Sequence, residues 1–326
     1  MSKLVTIYGG SGFVGRHIAQ RMAKEGWRVR VAVRRPNEAM FVKPYGTVGQ
    51  VEPVFCNIRD DASVAAVMNG ADAVVNCVGI LDNSGKNTFD AVQADGAERI
   101  ARIAAANDVA RMVHISAIGT DTASDSDYAQ SKAAGEAGVL AHMPGAMILR
   151  PSVVFGQDDQ FFNRFASMAR MGPFLPLIGG DTMFQPVFVD DVAQAAVMGV
   201  TGKAEGLFEL GGPEVKSLRG WVDVILKEIL RTKIVVNLPF GVGRMMGWGF
   251  DMASKVLFGL VDNKILTRDQ VKLLHNDNIV SEGAQGFAEL GIQPTAPESI
   301  LSEYLWRYRP TGQYDAIKNS AKNLSV

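Results

Sequence analysis

The sequence predicts an α/β protein with a doubly wound parallel sheet and a smaller mixed C-terminal lobe. Short β-rich runs alternate with helical patterns through the first half of the chain, which is typical of βαβ units. A glycine-rich turn, "IYGGSGFVG", joins the first strand to the first helix. The 326 residues exceed an ordinary single core, and the alternation fades from about residue 153.

Composition argues against several classes of protein. A net charge of −1 is unlike a nucleic-acid binder, which carries a basic face. No apolar stretch without charges is long enough to span a bilayer. Cys56 and Cys77 are predicted to be reduced thiols, and the four histidines lack metal-ligand spacing. We therefore expect a soluble or peripheral protein without a metal site.

The elements follow in a regular order. The first strand lies in "KLVTIYGG", and Val14, Ile18 and Met22 then recur at helical spacing up to Gly26. Further strands are predicted in "RVRVAVRR", "VEPVFC", "DAVVNCVG", "RMVHISAIG" and "AMILRPSVVFG", with helices in "DGAERIARIAAANDV" and "SKAAGEAGVLAHM". We expect one domain over 1–152 and about 184–212, a lobe over about 153–183 and 213–310, and a polar tail over 311–326.

The glycine turn predicts a site for a dinucleotide pyrophosphate. Gly9, Gly12 and Gly15 form a GxxGxxG pattern between a strand and a helix. Gly9 permits the tight turn, Gly12 lets the backbone approach the pyrophosphate, and Gly15 lets the helix pack closely on the strand. The helix N-terminus presents N–H groups to the anion. We expect a Rossmann-type domain here; the alternative is an ordinary glycine-rich turn.

The end of the second strand favours NADP(H) over NAD(H). A carboxylate at this place would bind a ribose 2′-hydroxyl, but the sequence has Arg34 and Arg35 and no carboxylate before Glu38. Guanidinium groups bind a 2′-phosphate through paired, charge-assisted hydrogen bonds. The alternative is that both arginines are solvated at a strand end.

Six motifs occur in a fixed order over residues 3–213. They are the glycine turn, "NCVG" at 76–79, "YAQSK" at 128–132, "RPSVVFG" at 150–156, "PVFVDDVA" at 186–193 and "LGGP" at 210–213. This layout resembles the extended and atypical short-chain dehydrogenases/reductases, a group that contains nucleotide-sugar epimerases and dehydratases.

The resemblance implies a site built around Tyr128 and Lys132. The tyrosine would be the catalytic acid/base, and the lysine would lower its pKa and bind the nicotinamide ribose. Four positions apart on one helix, the two side chains lie on the same face, although an ordinary exposed pair has the same spacing. Cys77 is expected to line the cleft as packing, not as a nucleophile. Together these motifs imply as nucleotide contacts Gly9, Ser11, Gly12, Phe13, Val14, Gly15, Arg34, Arg35, Asn57, Ile58, Cys77, Val78, Gly79, Ser116, Tyr128, Lys132 and Pro151.

Two positions depart from the family's pattern. In "HISAIGTDT", Ala117 stands where the second, catalytic hydroxyl is usual, and neither Ser116 nor Thr120 is in the expected register. Asn57 replaces an aspartate that usually faces the adenine, although an asparagine still hydrogen-bonds adenine. Because one acid–base group contributes about 10²–10⁴ in rate, we expect a nucleotide site with little turnover. Tyr128, Lys132 and Ser116 are then vestigial candidates.

A second feature is an amphipathic helix near 242–262, in "GVGRMMGWGFDMASKVLFGLVDNK". Arg244, Asp251, Lys255 and Asp262 lie within about 20° of one line on a helical projection, and nearly all other positions are apolar. So narrow a polar stripe predicts burial against a hydrophobic partner or membrane lipid head groups. The alternative is a helix inside the lobe's own core.

The C-terminal third extends the resemblance over nearly the whole chain. The stretches "LTRDQVKLLHNDNIVS" and "LGIQPTAPESIL", with the Tyr-rich end, resemble the NADPH-binding accessory subunit of respiratory complex I, the ninth of the alpha series, in its alphaproteobacterial form. That family implies a held NADPH, and as partners the complex I subunits of the peripheral arm near the quinone site. It also implies a peripheral location on the cytoplasmic face of a bacterial inner membrane or the matrix face of the mitochondrial one.

Two functions follow from these observations. In the first, the chain is an accessory subunit of NADH:ubiquinone oxidoreductase that holds NADP(H) for stability or assembly. In the second, it is an active NADP-dependent reductase, epimerase or dehydratase that uses Tyr128 and Lys132. A regulator that senses NADP(H) is a third alternative.

Overall fold

The structure is a computed structural model that describes residues 2–241 and 268–314. The helix predicted near 242–262 and the tail beyond residue 314 lie outside the described residues. Its described strands are β1 Leu4–Tyr8, β2 Arg28–Val33, β3 Val51–Phe55, β4 Ala73–Asn76, β5 Arg111–Ile115, β6 Met147–Pro151, β7 Val154–Phe155, β8 Phe174–Ile178, β9 Met183–Phe184, β10 Val187–Phe188, β11 Gly206–Leu210, β12 Lys216–Ser217 and β13 Ile234–Leu238.

Helices connect most of these strands. They are α1 Phe13–Lys24, α2 Asp61–Met68, α3 Asp95–Ala106, α4 Asp127–His142, α5 Phe162–Met168, α6 Val189–Val200, α7 Leu218–Glu228, α8 Arg268–Leu273 and α9 Pro297–Leu305. Short 3₁₀ segments cover Pro36–Tyr45, Trp306–Tyr308 and Gly312–Tyr314, and a π-helical turn covers Asp90–Ala94. Among the described residues, no helix has the length and apolarity that crossing a membrane requires.

The chain divides into two compact units. Unit 1 comprises Met1–Ser152, Val189–Gly211 and Val280–Pro294. Unit 2 comprises the described parts of Val153–Phe188, Gly212–Ile279 and Thr295–Val326. The return of Val280–Pro294 to unit 1 is not indicated by the sequence pattern. It is fixed by two hydrogen bonds of Glu209, whose Oε2 accepts from Ser281 N and whose N–H donates to the Gln285 carbonyl, both at 2.8 Å.

Unit 1 contains a seven-stranded parallel sheet in the order β11-β6-β5-β4-β1-β2-β3 among the described residues. The predicted doubly wound sheet is thereby confirmed. The strand order reverses between β1 and β4, and in such sheets ligands bind at the carboxyl ends of the strands at this switch point. The glycine turn follows β1, and "NCVG" begins at the end of β4, so both predicted motifs lie at the switch point.

Apolar side chains cover the sheet of unit 1. Val74, Met112 and Ile148 of three neighbouring strands pack with Ile100 of α3 and Val139 of α4 in one buried cluster. Helices α1 and α6 pack together, and Arg21 and Asp190 join them through two hydrogen bonds of 2.7 Å. At the central strands β1 and β4, burial of both sheet faces explains why nearly every residue is apolar.

Unit 2 is a mixed lobe built on three small strand pairs. β7 pairs with β10 and β8 with β13 in parallel, whereas β9 pairs with β12 antiparallel. Its core surrounds Trp221, which is fully buried and donates from Nε1 to the Phe184 carbonyl at 3.1 Å. The buried carboxylate of Asp159 accepts hydrogen bonds from three backbone N–H groups and from the Tyr304 hydroxyl. That last bond ties α9 to the loop before α5.

Candidate nucleotide-binding site

The glycine turn has the geometry that its pattern predicts. Gly9 has a φ of +74°, a conformation that other residues rarely adopt. Its carbonyl accepts a hydrogen bond from Gly12 N at 2.9 Å, which closes the turn. A Cβ on Gly15 would lie 2.4 Å from the Gly9 carbonyl oxygen and 2.8 Å from Gly10 Cα. The helix can therefore approach the turn this closely only if Gly15 has no side chain.

The first turn of α1 is open to an anion. Gly12 is the N-cap residue in an extended conformation and offers no side chain to cap the helix, and the first turn contains no acidic residue. Ser11, Phe13 and Val14 are half-buried beside it. Because uncapped N–H groups at a helix N-terminus favour phosphate, the turn fits a dinucleotide pyrophosphate.

Basic side chains follow the carboxyl end of β2. Arg34 is exposed and, among the described residues, makes no hydrogen bond or ion pair, whereas Arg35 donates to Glu38 at 3.1 Å. A third arginine, Arg16, is not indicated by the sequence pattern. Its Nε donates to the Gly12 carbonyl at 3.2 Å, and its guanidinium lies 5.1 Å from the centre of the Phe41 ring. Arg16 therefore links the glycine turn to the 3₁₀ segment Pro36–Tyr45.

Asn57 and Ile58 follow the carboxyl end of β3. The Asn57 Oδ1 accepts from the Arg59 N–H at 3.2 Å in a local turn, and the side-chain NH₂ makes no hydrogen bond among the described residues. An NH₂ group can donate to an adenine ring nitrogen but cannot accept from the adenine amine, as an aspartate would. Ile58 packs against Gly96, where an added Cβ would lie 2.9 Å from Ile58 Cδ1.

The end of β4 carries a buried polar pair. The Asn76 Oδ1 accepts from the Val78 N–H at 3.0 Å, so its Nδ2 must donate to Nδ1 of His114, 3.1 Å away. The proton of His114 is then on Nε2, which has no partner among the described residues. Burial, with the nearby Lys132 charge, lowers the pKa of His114 to about 3, so the ring is neutral.

Cys77, Val78 and Gly79 form the wall opposite the glycine turn. The Cys77 backbone lies so close to Gly9 that a Cβ there would be 3.2 Å from its carbonyl atoms. Burial raises the pKa of the Cys77 thiol to about 12, which fits the predicted packing role better than a nucleophile. A Cβ on Gly79 would lie 3.5 Å from Gln93 Oε1 and 3.6 Å from Lys132 Nζ. The polar side chains of Gln93 and Lys132 therefore both lie close to the backbone of Gly79.

Lys132 is buried on α4 beside this wall. Its Nζ donates to the Ile115 carbonyl at 3.1 Å. Burial lowers the pKa of Lys132 to about 8, although the charge of Glu136 opposes this shift. Glu136 in turn accepts two hydrogen bonds from Arg150, at 2.9 and 2.6 Å.

Gln93 is a site residue that the sequence does not indicate. It lies in the π-helical turn Asp90–Ala94, where the wider backbone spacing changes the direction of the side chain. Its Nε2 donates to Ser131 Oγ at 2.9 Å, and its Oε1 accepts from the Ile80 N–H at 3.3 Å. Gln93 thus joins α4 to the chain that follows Gly79.

The predicted catalytic groups are only partly arranged for chemistry. Tyr128 lies one turn before Lys132 on α4, with its ring edge-to-face against Phe89 at 5.9 Å. Burial raises the pKa of the Tyr128 phenol to about 12, opposite in direction to the lowering that the resemblance implies. Thr120 Oγ1 donates to the Ala117 carbonyl at 2.6 Å and lies 3.3 Å from Ser116 Oγ.

The hydroxyl groups of Ser116 and Thr120 are therefore hydrogen-bonded to each other. Because the Thr120 proton points to the Ala117 carbonyl, Ser116 must be the donor in their mutual hydrogen bond. Ser116 is also buried, and its N–H donates to the Leu149 carbonyl at 2.7 Å. Pro151, at the end of β6, accepts from the Ile118 N–H through its carbonyl at 3.0 Å. In unit 1 the predicted contacts thus lie at the carboxyl ends of β1 to β6, in the first turn of α1 and on α4.

Comparison with known proteins agrees with this geometry. Residues 5–211 match the NAD dependent epimerase/dehydratase family. The chain is 33% identical over 316 residues to the mitochondrial NADH dehydrogenase [ubiquinone] 1 alpha subcomplex subunit 9 of Arabidopsis thaliana, which covers 95% of this chain and 79% of that one. It is 32% identical over 207 residues, 64% of each chain, to a ceramide reductase of Caulobacter vibrioides.

Solved structures share the fold at low sequence identity. The crystal structure of DesIV, a dTDP-glucose 4,6-dehydratase from Streptomyces venezuelae with NAD and TYD bound, superposes with a TM-score of 0.71 at 19% identity. The match covers 97% of this chain and 98% of that chain. The family match and the Arabidopsis thaliana relative, which is similar over 95% of this chain, together confirm the predicted resemblance. The chain belongs to the NAD dependent epimerase/dehydratase family and, within it, to the group of the alpha subcomplex subunit 9 proteins.

Proposed function

We propose that this chain is an accessory subunit of respiratory complex I that holds NADP(H) without turning it over. The observation that carries the proposal is the likeness to the Arabidopsis thaliana subunit over 95% of the chain. The open glycine turn supports the nucleotide, because its N–H groups and missing side chains fit a pyrophosphate. A nucleotide present at about a hundred times its Kd stabilises the folded chain by about 2.7 kcal/mol. A bound nucleotide can therefore stabilise the chain for assembly without taking part in a redox reaction.

NADP(H) is preferred to NAD(H) because of the arginines. Arg34 is exposed and without a partner among the described residues, so a 2′-phosphate can bind it without breaking an existing ion pair. Charge-assisted bonds of this kind contribute about 1.5–3 kcal/mol. Arg34→Ala should therefore weaken NADPH binding at least tenfold in calorimetry and leave NADH binding nearly unchanged.

The matched control for this experiment is Arg28→Ala. Arg28 is an exposed arginine at the opposite end of the same strand, β2, and should affect neither nucleotide. Equal losses of NADPH and NADH binding in Arg34→Ala would contradict the 2′-phosphate assignment.

The state of the catalytic groups supports a held nucleotide. Burial raises the pKa of the Tyr128 phenol to about 12, so at neutral pH the group is not available as a base. Ala117 supplies no hydroxyl, and those of Ser116 and Thr120 are bonded to each other. Bound NADPH should therefore keep its reduced-nicotinamide fluorescence while the complex oxidises NADH. Loss of that fluorescence during turnover would contradict the proposal.

A second candidate is an active NADP-dependent reductase. The presence of Tyr128 and Lys132 on one helix favours it, as does the likeness to a protein named ceramide reductase over 207 residues. Tyr128→Phe separates the two functions. A held nucleotide predicts that this variant binds NADPH and assembles normally, whereas an enzyme predicts loss of a carbonyl-reducing activity in the isolated chain.

We place the chain at the peripheral arm of the complex, near the quinone site. It would lie on the cytoplasmic face of a bacterial inner membrane or on the matrix face of the mitochondrial one. The apolar segment from Arg244 to Asp262, outside the described residues, would meet lipid head groups there. Trp248→Asp combined with Phe250→Asp should release the chain from membranes and leave NADPH binding intact. An unfolded product would instead indicate a helix buried in the core of the lobe.

A further inference from the structure

The outer face of the strand pair β8–β13 in unit 2 is apolar and exposed. In the parallel register Phe174 lies beside Ile234, and Pro176 beside Val236. The alternate residues Leu175 and Leu177 point inward and are buried. Phe174 and Ile234 are each 60% exposed, and Met171, in the turn before β8, is 79% exposed. We call Met171, Phe174, Pro176, Ile234 and Val236 the β8–β13 face.

The two chain segments that form this face carry only basic charged residues. Residues 164–178 and 231–241 contain four arginines and lysines and no aspartate or glutamate. Because β8 and β13 are parallel, Arg170, Arg231 and Lys233 precede the strands at the same end of the pair. Lys233 Nζ donates to the Gly172 carbonyl at 2.6 Å, and Arg231 Nε donates to the Tyr308 carbonyl at 2.8 Å.

No carboxylate neutralises these three cations within the described residues. The ion pairs that the described residues of unit 2 form involve Lys216, Lys272 and Arg309 instead. The two side chains that do have partners donate to backbone carbonyl groups, which leaves their positive charge uncompensated. An apolar surface beside uncompensated cations is the pattern of a protein surface that lies on an anionic bilayer.

The size of the face distinguishes a bilayer from a protein partner. A pair of five-residue strands is about 10 Å wide and about 17 Å long, which gives a footprint on the order of 200 Å². A stable protein interface covers about 800 Å² of each partner. A few apolar side chains that insert at the head-group boundary, with cations beside them, are in contrast sufficient for peripheral lipid binding.

We propose that the β8–β13 face docks on an anionic lipid bilayer, with Phe174 and Ile234 inserted among the head groups and Arg170, Arg231 and Lys233 next to the phosphates. The inference rests on the proposed function only for the peripheral location at a membrane. It assigns lipid contact to described residues of unit 2 that are separate from the segment Arg244 to Asp262.

The experiment measures co-sedimentation of the full chain with vesicles. One set contains phosphatidylglycerol and phosphatidylcholine, and the other contains phosphatidylcholine alone. Phe174→Ser combined with Ile234→Ser should lower the partition coefficient on the anionic vesicles at least about tenfold. Arg170→Gln should lower it about fivefold on the anionic vesicles only, because each basic residue near such a surface contributes about that factor.

The matched control is Phe55→Ser combined with Val48→Ser. Phe55 is 62% exposed, close to the value for Phe174, but it lies on the edge strand β3 of unit 1. This control should bind anionic vesicles like the wild type. An equal loss in the control would overturn the proposal, since general surface hydrophobicity would then explain the binding.

Other outcomes would also overturn it. If the Ser variants melt several degrees lower while vesicle binding is unchanged, the chain itself covers the face. If the wild type is a dimer that the Ser variants dissociate, with vesicle binding unchanged, the occupant is a second copy. If only Trp248→Asp with Phe250→Asp abolishes vesicle binding, the face is not the lipid contact, and the proposed function is unaffected. Co-migration with complex I is a separate test: if it fails while the predicted vesicle pattern holds, the proposal for the β8–β13 face stands and the subunit function fails.

Discussion

Gly15→Ala tests whether the close packing of α1 on the glycine turn determines both stability and nucleotide binding. The added Cβ would lie 2.4 Å from the Gly9 carbonyl oxygen and 2.8 Å from Gly10 Cα, so backbone atoms must move. Overpacking of this kind costs about 1–3 kcal/mol. Alanine in a helix regains about 0.5–1 kcal/mol relative to glycine. We expect a net loss on the order of 1–2 kcal/mol in the free energy of unfolding by urea.

The same substitution should weaken NADPH binding. The carbonyl that must move is the acceptor of the Gly12 N–H bond that closes the turn, so the N–H groups facing the pyrophosphate move with it. Loss of one hydrogen bond to a charged group corresponds to about 1.5–3 kcal/mol, or more than a tenfold rise in the Kd measured by calorimetry.

Gly220→Ala is the control for this prediction. Gly220 lies in α7 of unit 2, where a Cβ would meet its nearest atom at 3.4 Å, an ordinary contact. This variant should gain about 0.5–1 kcal/mol of stability and bind NADPH normally. If Gly15→Ala were as stable as Gly220→Ala and retained NADPH affinity, the packing explanation for the third glycine would be wrong.

Three further predictions concern buried charges. Glu136→Gln should lower the free energy of unfolding by urea by about 3 kcal/mol, because it leaves the guanidinium of Arg150 with only Glu209 at 3.6 Å. The control Glu38→Gln, at an exposed ion pair, should lower it by less than about 1 kcal/mol. Tyr304→Phe should cost about 1–3 kcal/mol, because Asp159 loses a buried hydrogen bond, and thermal unfolding measures the loss. The third uses Lys132, whose pKa burial lowers from 10.5 to about 8, so that the unfolded chain binds more protons between these values. As the pH rises from 8 to 10.5, the free energy of unfolding of the wild type should therefore increase by about 3 kcal/mol relative to that of Lys132→Met, at 1.36 kcal/mol per pKa unit. A series of urea unfolding curves at different pH values would show this increase.

The features of unit 1 that are predictable from sequence are local. The turn from β1 to α1 spans a few residues, and its three glycines, its helical spacing and the run before it all lie within one short stretch. The parallel sheet follows from the alternation of strands and helices, since parallel strands require crossover connections. Arg34 and Arg35 are recognisable because they occupy a fixed place after β2.

The features that the sequence does not indicate depend on distant pairs. Arg16 stacks on Phe41, 25 positions later, and the Asn76–His114 bond joins residues 38 apart. In the linear sequence His114 appears only as one polar residue within an apolar strand. The role of Gln93 depends on a π-helical turn, which is too rare to infer from helical spacing.

The raised pKa of Tyr128 is likewise a property of three-dimensional burial. The spacing of Tyr128 and Lys132 indicates that both lie on one helix, but it does not show how much water reaches the phenol. In the structure burial dominates and raises the pKa to about 12. The motif therefore predicts the position of these groups better than their reactivity.

Native electrophoresis of mildly solubilised membranes from the source cells tests the central proposal most directly. Mass spectrometry would track this chain in the gel, and nucleotide extraction from the same band would identify what it holds. We expect the chain to co-migrate with NADH dehydrogenase activity in a very large complex that contains NADP(H). A chain found only as a small soluble species, or a complex in which it carries no nucleotide, would contradict the proposed function.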